Sequence, residues 1–513
     1  MFLVLGTALM AWVASWGTRW LAVVTDTTDA ARGGRKIHSQ TTPLLGGLGI
    51  GLTILISMVI ATATGLLPMQ GPLSMRLGGF FVGVLILLFG GVLDDVYDIP
   101  PYLQILFPVT ATLVVMGTGT SILEISNLGG AGVWKLDYWQ RSISIFGWLH
   151  TLRLPADLLT FAWMLGVTYA TKSMDGLDGL VTGQTLIGAA LIALLAASPA
   201  FYQPAILVLS LIVFAAFLGF LPWNLHPARQ FLGESGSTLA GFSLGFLAIV
   251  SGAKVATAFM ALGITLVDFM LVVLLRLRSH RSPFEGDDSH LHFRLLRLGF
   301  SQRQVAAFFW MLALVFGLTA FGLQTRGKTL LVISLSCVTL LISLRAAAQK
   351  NLALSWRRRV FFGASIVTLM VVTWSLLGLW RVHRQPPLLR QITLHDHRLW
   401  LELATTDSQR MQGLSERASM PLDQGMLFVF AKKDSYAFWM PNMQFDLDIV
   451  WLNGDRVVDR ARLLAPQANE KPAQYTPHEP ADRVLEVRAG QADVYGLQLG
   501  ARVPELVIGR SLE

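Results

Sequence analysis

Asp94, Asp95 and Asp98 place three carboxylates within five residues, directly after the apolar run Leu77 to Leu93. A carboxylate well inside a bilayer costs roughly 2.5–3.5 kcal/mol on insertion scales, so such acids line a cavity, bind a cation or sit at the water boundary. On a continuing helix Asp94 and Asp98 share one face while Asp95 points to the side. The cluster suits a divalent cation or an acid–base pair; a polar stop to a membrane helix explains a lone acid better than three. A second stretch, Lys172-Ser173-Met174-Asp175-Gly176-Leu177-Asp178-Gly179, sets two acids three apart with a glycine after each. Glycine lets backbone N–H groups approach a phosphate, and the paired acids can hold a cation or ribose hydroxyls. A plain Gly-Asp turn between two helices accounts for it equally.

Two further stretches carry chemistry. Gly219 to Ser237 contains Asn224 and Glu234 and is longer than a connector needs. Glu234, between Gly233 and a Ser-Gly-Ser turn, is either a ligand held where backbone packs closely or an acid at a helix N-terminus, and the two are compatible. Ser282 to Arg294 supplies the alternating pair His290 and His292 among arginines. A His-x-His pair can bind metal, but so many cations favour an anion, specifically a diphosphate. A solvated basic loop facing lipid headgroups is the plainer alternative.

The elements that position these residues are set by composition. The chain has 513 residues, 53% hydrophobic and 14% charged, with mean hydropathy +0.55. Soluble proteins carry about 25% charged residues, so most of this chain belongs in lipid. The net charge of +8 would suggest nucleic acid in a soluble protein. Here the basic residues flank apolar segments, so the expected partners are the membrane and a phosphorylated substrate, and no nucleic acid. The single cysteine, Cys337, excludes a disulfide framework and a thiolate metal site.

The apolar segments run approximately Phe2–Val24, Leu45–Leu67, Leu77–Leu93, Leu103–Met116, Leu154–Ala170, Leu180–Ala196, Ala205–Phe220, Leu239–Ser251, Ala256–Leu275, Val305–Leu323, Leu330–Leu344 and Val360–Leu379. They predict an all-α polytopic membrane protein of about 11–12 transmembrane helices. The first lacks a basic leader and a small-residue cleavage site, and reads as a retained span. Basic residues concentrate in alternate loops, with Arg32, Arg35 and Lys36 in the first of them. The positive-inside bias then puts both termini outside, and the motif stretches in the cytoplasm. Between Gly117 and Arg153, two alternating stretches predict a small hairpin or amphipathic cap.

After Arg381 the pattern changes to period-2 runs such as Arg398 to Leu403 and Asp482 to Val487, and Asn453-Gly454 between two such runs is a short hairpin signal. A small β-rich soluble domain of about 125 residues is expected there, beyond a linker at Pro386-Pro387. The expected organisation is a polytopic domain over 1–345, an additional transmembrane helix and linker over 346–384, and an extracytoplasmic β-rich domain over 385–513.

Five ordered motifs carry a resemblance: Arg35-Lys36-Ile37-His38 with Thr42-Pro43 and Gly46-Gly47; Leu93-Asp94-Asp95; Asp175-Gly176-Leu177-Asp178-Gly179; Asn224 to Ser237; and His290-Leu291-His292. Over Met1 to Leu323 the chain resembles the polyprenyl-phosphate N-acetylhexosamine-1-phosphate transferase family, glycosyltransferase family 4. The His-x-His followed by Arg-Leu resembles its bacterial N-acetylglucosamine-1-phosphate branch. The resemblance implies attack by a polyprenyl phosphate on the β-phosphate of a UDP-N-acetylhexosamine at the inner face of the bacterial cytoplasmic membrane, with Mg²⁺ or Mn²⁺ as cofactor. UMP leaves, and cell-envelope polysaccharide synthesis begins. It implies catalytic roles for Asp94 and Asp95 and a metal ligand at Glu234. Substrate-binding roles fall to Lys36, Lys172, Asp175, Asp178, Asn224, His290, His292 and Arg294, and a homodimer is a candidate assembly. The carboxyl-terminal part resembles domain of unknown function 192, in motifs including Gly425 to Phe430, Phe438 to Asn442 and Val484-Leu485-Glu486.

The chain also departs from the family pattern. Glu234 stands for the usual Asp, Tyr169 and Lys172 for two usual Asn, Gln104 for a usual Lys, and Phe293 for a third His. One expectation unites these: Lys172 supplies the charge missing at Gln104, and Glu234 keeps a metal through its longer arm. Two other classes stay open. A transporter would carry its acids near mid-span in both halves of the chain. A catalytically altered or inactive relic would serve to anchor the outer domain.

Overall fold

A computed structural model of the chain describes residues 2–29, 41–126, 133–145, 148–197, 203–251, 262–282, 289–322, 389–404, 410, 413–414, 420–439, 445–464 and 474–507. The expected spans Leu330–Leu344 and Val360–Leu379, part of Ala256–Leu275, the 345 boundary, the 346–384 segment, the Pro386-Pro387 linker and Lys36 lie outside the described residues.

The chain forms two compact units, one helical and one built on a sheet. The helical unit opens with α1 (Phe2–Val24), a short β1–β2 ladder (Thr28–Asp29, Thr42–Pro43), α2 (Gly46–Ala63) and α3 (Gly71–Tyr97). Pro72 sits in the first turn of α3, where its missing N–H costs nothing. The helix ends at Asp98, left-handed at φ 49° with its N–H on the Asp94 carbonyl, just before Pro100 and Pro101. The expected Leu103–Met116 span is instead α4 (Pro101–Gln104) and α5 (Leu106–Gly117). Pro108 explains the break, since its ring crowds the carbonyl four residues back, at Gln104.

Two hairpins follow, β3–β4 (Glu124–Ser126, Val133–Lys135) and β5–β6 (Trp139–Ile145, Trp148–Leu154). Then come α6 (Ala156–Met174), α7 (Leu180–Ala197), α8 (Pro204–Asn224), α9 (Gly233–Val250), α10 (Gly263–Arg278), α11 (Leu291–Arg297) and α12 (Gln302–Gly322). Among the described residues five helical stretches are long and apolar enough to cross a membrane: α2, α3, α7, α8 and Gln302–Thr319 of α12.

At the centre stands α9, buried at every residue from Ser235 to Val250. Its small residues explain how a helix can be surrounded so tightly: Gly47 of α2 lies on Gly236, Gly91 of α3 on Ser235, and Thr168 of α6 on Gly241. At the other end, Phe80 of α3 stacks on Phe242 and Phe246, with ring centroids 5.7 and 4.6 Å apart.

The second unit is a six-stranded sheet in the order β12-β11-β14-β9-β8-β7, antiparallel except where β8 meets β9. Its strands are β7 (Leu389–Leu394), β8 (His397–Ala404), β9 (Gln424–Asp434), β11 (Leu447–Asn453), β12 (Arg456–Leu463) and β14 (Ala481–Arg488). β10 (Phe438–Trp439) pairs with β13 (Gln474–Tyr475) beside it. The hairpin that the sequence predicts at Asn453-Gly454 joins β11 to β12, shifted by one residue: Asn453 pairs with Arg456, so the two-residue loop is Gly454-Asp455, with Gly454 at φ 67°. Phe438 packs edge-on against Phe428 and the fully buried Trp451, a core role.

The α3–α9 contact tests this packing. A methyl group added at Gly91 meets the Ser235 backbone, which cannot swing aside, whereas at Gly78 on the same helix it meets open space. Gly91→Ala is expected to destabilise the protein by about 1–3 kcal/mol. Gly78→Ala is expected to change stability by no more than about 1 kcal/mol. Thermal unfolding in detergent, with equal melting temperatures for the two variants as the contrary result, checks it.

Candidate active site

The first N–H groups of a helix have no partners inside it, and α9 begins where little water can supply them. Asp95, in the last turn of α3, does so from another element. Its Oδ1 accepts from the Glu234 N–H at 2.7 Å and its Oδ2 from the Ser235 hydroxyl at 3.1 Å. The Asp95 carboxylate also lies at the positive end of the helix dipole. Gly233 makes the approach feasible: it enters α9 at φ 72°, and a Cβ there would lie 2.6 Å from Asp95 Oδ2. Both Asp95 oxygens are therefore occupied in holding α9.

Asp94, one residue earlier, faces a different set of partners. Its Oδ1 accepts from Gln104 Nε2 at 2.7 Å, and that amide nitrogen also donates to the Ile99 carbonyl at 2.8 Å. Gln104 Oε1 accepts from Lys172 Nζ at 2.9 Å, and the ammonium lies 2.5 Å from Glu234 Oε1. The Tyr169 ring centroid lies 5.7 Å from the same nitrogen. Asp94, Gln104 and Glu234 line a groove with Gly90, Gly91 and Phe107. The carboxylate, amide, ammonium and carboxylate thus form one continuous polar line across α3, α4, α6 and α9.

The Asp175–Gly179 turn lies beside this line. Asp175 follows α6 and is half-buried. Burial first, then the carboxylates of Glu234, Asp95 and Asp178, push its pKa up to about 8. Asp178 Oδ2 accepts from His226 Nδ1 at 2.7 Å and from the Ala228 N–H at 3.1 Å, tying the turn to the α8–α9 connection. Asn224 is buried, and it is spent on structure. Its Oδ1 accepts from the Gly179 N–H at 3.1 Å and the Thr182 hydroxyl at 2.6 Å, while its Nδ2 donates to the Gln230 carbonyl at 3.1 Å.

The His-x-His pair closes over the turn. His290 Nδ1 meets Asp268 Oδ2 at 2.9 Å, and the other Asp268 oxygen accepts the Leu291 N–H at 3.0 Å. His292 is fully buried with neither ring nitrogen hydrogen-bonded among the described residues, and a Cβ at Gly176 would lie 2.8 Å from its Nε2. Burial, reinforced by His290, pulls its pKa down to about 3, so the ring is neutral. Phe293 packs on it at a 45° tilt with ring centroids 4.1 Å apart, and Arg294 stands half-buried on α11.

Of the residues singled out from sequence, Asp94, Asp95, Lys172, Asp175, Asp178, Asn224, Glu234 and His292 meet around one turn, with His290 beside His292 at 5.8 Å between centroids. Sequence reasoning missed Asp268 and His226. Asp268 carried a signal, a lone acid inside the apolar run Ala256 to Leu275, whereas His226 carried none.

The donor set does not fit a divalent ion at Glu234. Among the described residues no three His, Cys, Asp or Glu side chains are grouped to hold a metal ion. One Glu234 oxygen is taken by the Lys172 ammonium, and both Asp95 oxygens by α9.

Comparison with known proteins adds two families. The glycosyl transferase family 4 model matches residues 77–252. The DUF192 model, described as an uncharacterized ACR, matches residues 390–504. A Bacillus subtilis (strain 168) protein, named as a probable undecaprenyl-phosphate N-acetylglucosaminyl 1-phosphate transferase, is 30% identical over 57% of this chain and 76% of its own length. A Mycolicibacterium smegmatis decaprenyl-phosphate N-acetylglucosaminephosphotransferase is 30% identical over 60% of this chain and 79% of its own. A solved structure of a Novosphingobium aromaticivorans protein of unknown function is 30% identical over 22% of this chain and 80% of its own, with a TM-score of 0.19.

The raised Asp175 pKa gives a pH signature. Between 3.8 and about 8 the folded chain holds a proton there that the unfolded chain releases, so this contribution to stability is lost as pH rises towards 8. Asp175→Asn is expected to remove that loss, and to gain most over the parent above pH 8. Melting temperatures across pH 5–9 in chelator-treated buffer check it; parallel curves for the two proteins would refute it.

Proposed function

The chain belongs to glycosyl transferase family 4, and from that premise we propose that it transfers N-acetylhexosamine 1-phosphate, with N-acetylglucosamine 1-phosphate as the expected cargo, from a UDP-sugar to a polyprenyl phosphate. It is a multi-pass membrane protein. The observation that carries the reading is the convergence of four motifs, distant in sequence, around the Asp175–Gly179 turn, in a chain whose curated relatives are matched over most of their length.

In the proposed reaction an oxygen of the lipid phosphate attacks the β-phosphorus of the UDP-sugar. The bond from that phosphorus to the bridging oxygen breaks, and the electron pair leaves with UMP. A phosphate monoester with a second pKa near 6 is largely dianionic at neutral pH, so little proton removal is required. Positioning and charge neutralisation are then the main demands. Asp94, on the groove, fixes Gln104 and through it the Lys172 ammonium that receives the lipid phosphate, and its other oxygen accepts from that phosphate in its monoanionic form, while Asp95 acts through α9 as a positioning residue. Lys172 opposes the charge growing on the phosphates. Asp175 and Asp178 form the nucleotide side, and Asn224 serves by fixing their turn. Arg294, with Lys36, is assigned to the diphosphate, and the buried His290 and His292 support the turn beside it. No step is assigned to a metal ion.

Charge supports the sidedness. Arg303 donates to the His226 carbonyl at 2.8 Å, and Arg276, Arg278, Arg294 and Arg297 stand on α10 and α11, the helices that bring Asp268 and the His-x-His pair to the turn. Basic residues at this end favour the cytoplasm, where nucleotide sugars are made, with the sheet unit on the outer side. Lipid-linked sugar at the inner face is a starting point for cell-envelope polysaccharide.

Purified protein given polyprenyl phosphate and UDP-N-acetylglucosamine is expected to release UMP. Asp94→Asn should lower kcat by roughly 10²-fold or more. Failure to release UMP with any UDP-N-acetylhexosamine would sink the reading in favour of an inactive anchor.

A further inference from the structure

Gln104, Tyr169, Lys172 and Glu234, carried by α4, α6 and α9, meet at a single atom. Lys172 Nζ lies 2.5 Å from Glu234 Oε1, 2.9 Å from Gln104 Oε1 and 5.7 Å from the Tyr169 ring centroid. A carboxylate, an amide oxygen and an aromatic ring are the surfaces an ammonium seeks. The Gln104 amide is oriented to match, with its oxygen on the ammonium and its nitrogen on Asp94. The two charged side chains are only 23% and 17% exposed, so little water screens them. A divalent ion bound to the same carboxylate would stand beside this ammonium and be repelled by it.

We infer that the Lys172 ammonium is a built-in cation that occupies the place of a divalent ion at Glu234, held there by Gln104, Tyr169 and Glu234. The geometry of the glutamate suits this role, because its backbone is fixed by Asp95 and its longer arm carries the carboxylate out to the lysine. This rests on the transferase reading for what the cation does, but its test needs no turnover.

The measurement is Mn²⁺ binding to the purified full chain in detergent, by electron paramagnetic resonance, with no substrate present. The parent and Glu234→Gln are expected to bind Mn²⁺ with affinities equal within about twofold, because Glu234 is already occupied. Lys172→Met frees that carboxylate, and is expected to gain a site about tenfold tighter, lost again in Lys172→Met/Glu234→Gln. A parent whose Mn²⁺ affinity falls about tenfold on Glu234→Gln overturns the inference, and that comparison stands even if Lys172→Met does not fold. A folded Lys172→Met that gains no site overturns it too, since Glu234 would then not be a cation seat. Should the binding pattern hold while no UMP is released, the transferase reading fails and this one stands.

Discussion

The site depends on one interaction, the Asp95 carboxylate seated on the first turn of α9. Without it, a helix buried from Ser235 to Val250 would begin with N–H groups that water cannot easily reach. The contact also fixes two helices against each other. Gly91 lies one turn before Asp95 and packs on Ser235, so α3 and α9 are locked in rotation and in height. Asp94 must then face Gln104 and the groove, and Glu234 must extend towards Lys172. An aspartate adjacent to the groove is therefore a structural requirement of the groove itself.

A second consequence is how charge is distributed. Asp94, Asp95, Asp175, Asp178 and Glu234 cluster near one turn, a concentration that repels itself unless it is compensated. The chain compensates by different means at each: an amide on Asp94, a helix terminus on Asp95, a histidine on Asp178 and an ammonium on Glu234. Asp175 has no side-chain hydrogen bond of this kind among the described residues, and burial with the neighbouring carboxylates pushes it up to about 8. His292, neutral in its buried seat, adds no positive charge of its own.

The sheet unit follows a separate logic. Its core lies on both faces of the sheet, with Leu399, Leu401, Leu485 and Val487 in one cluster and Phe428, Trp451 and Val484 in another. β11 and β14 are buried along almost their whole length, as expected of central strands covered on both sides. Both clusters are drawn from residues of this unit, which accords with its match to a family of its own.

Much of this was legible in residue order. Long apolar runs dictate membrane helices because a bilayer satisfies no backbone groups, and Gly454 between two alternating runs marks a tight hairpin because glycine takes the positive φ such a turn needs. The motif acids, the Gly-rich turn and the His-x-His pair marked the site for the same reason: polar groups beside apolar runs are costly unless used. The division of labour among those residues was not legible. Asp94 and Asp95 are identical in type and adjacent, yet one faces the groove and the other caps a helix 139 residues away. Asn224 resembles a substrate ligand but clamps a turn, and Gln104, Tyr169, Lys172 and Glu234, unrelated in sequence, are brought to one nitrogen by helix packing. Sequence determines which groups a chain can offer, since that is fixed by composition and local spacing. Which group pairs with which was decided only in the tertiary structure, because hydrogen bonds and ion pairs act over about 3 Å and their geometry is set by how close glycine and serine allow the helices to come.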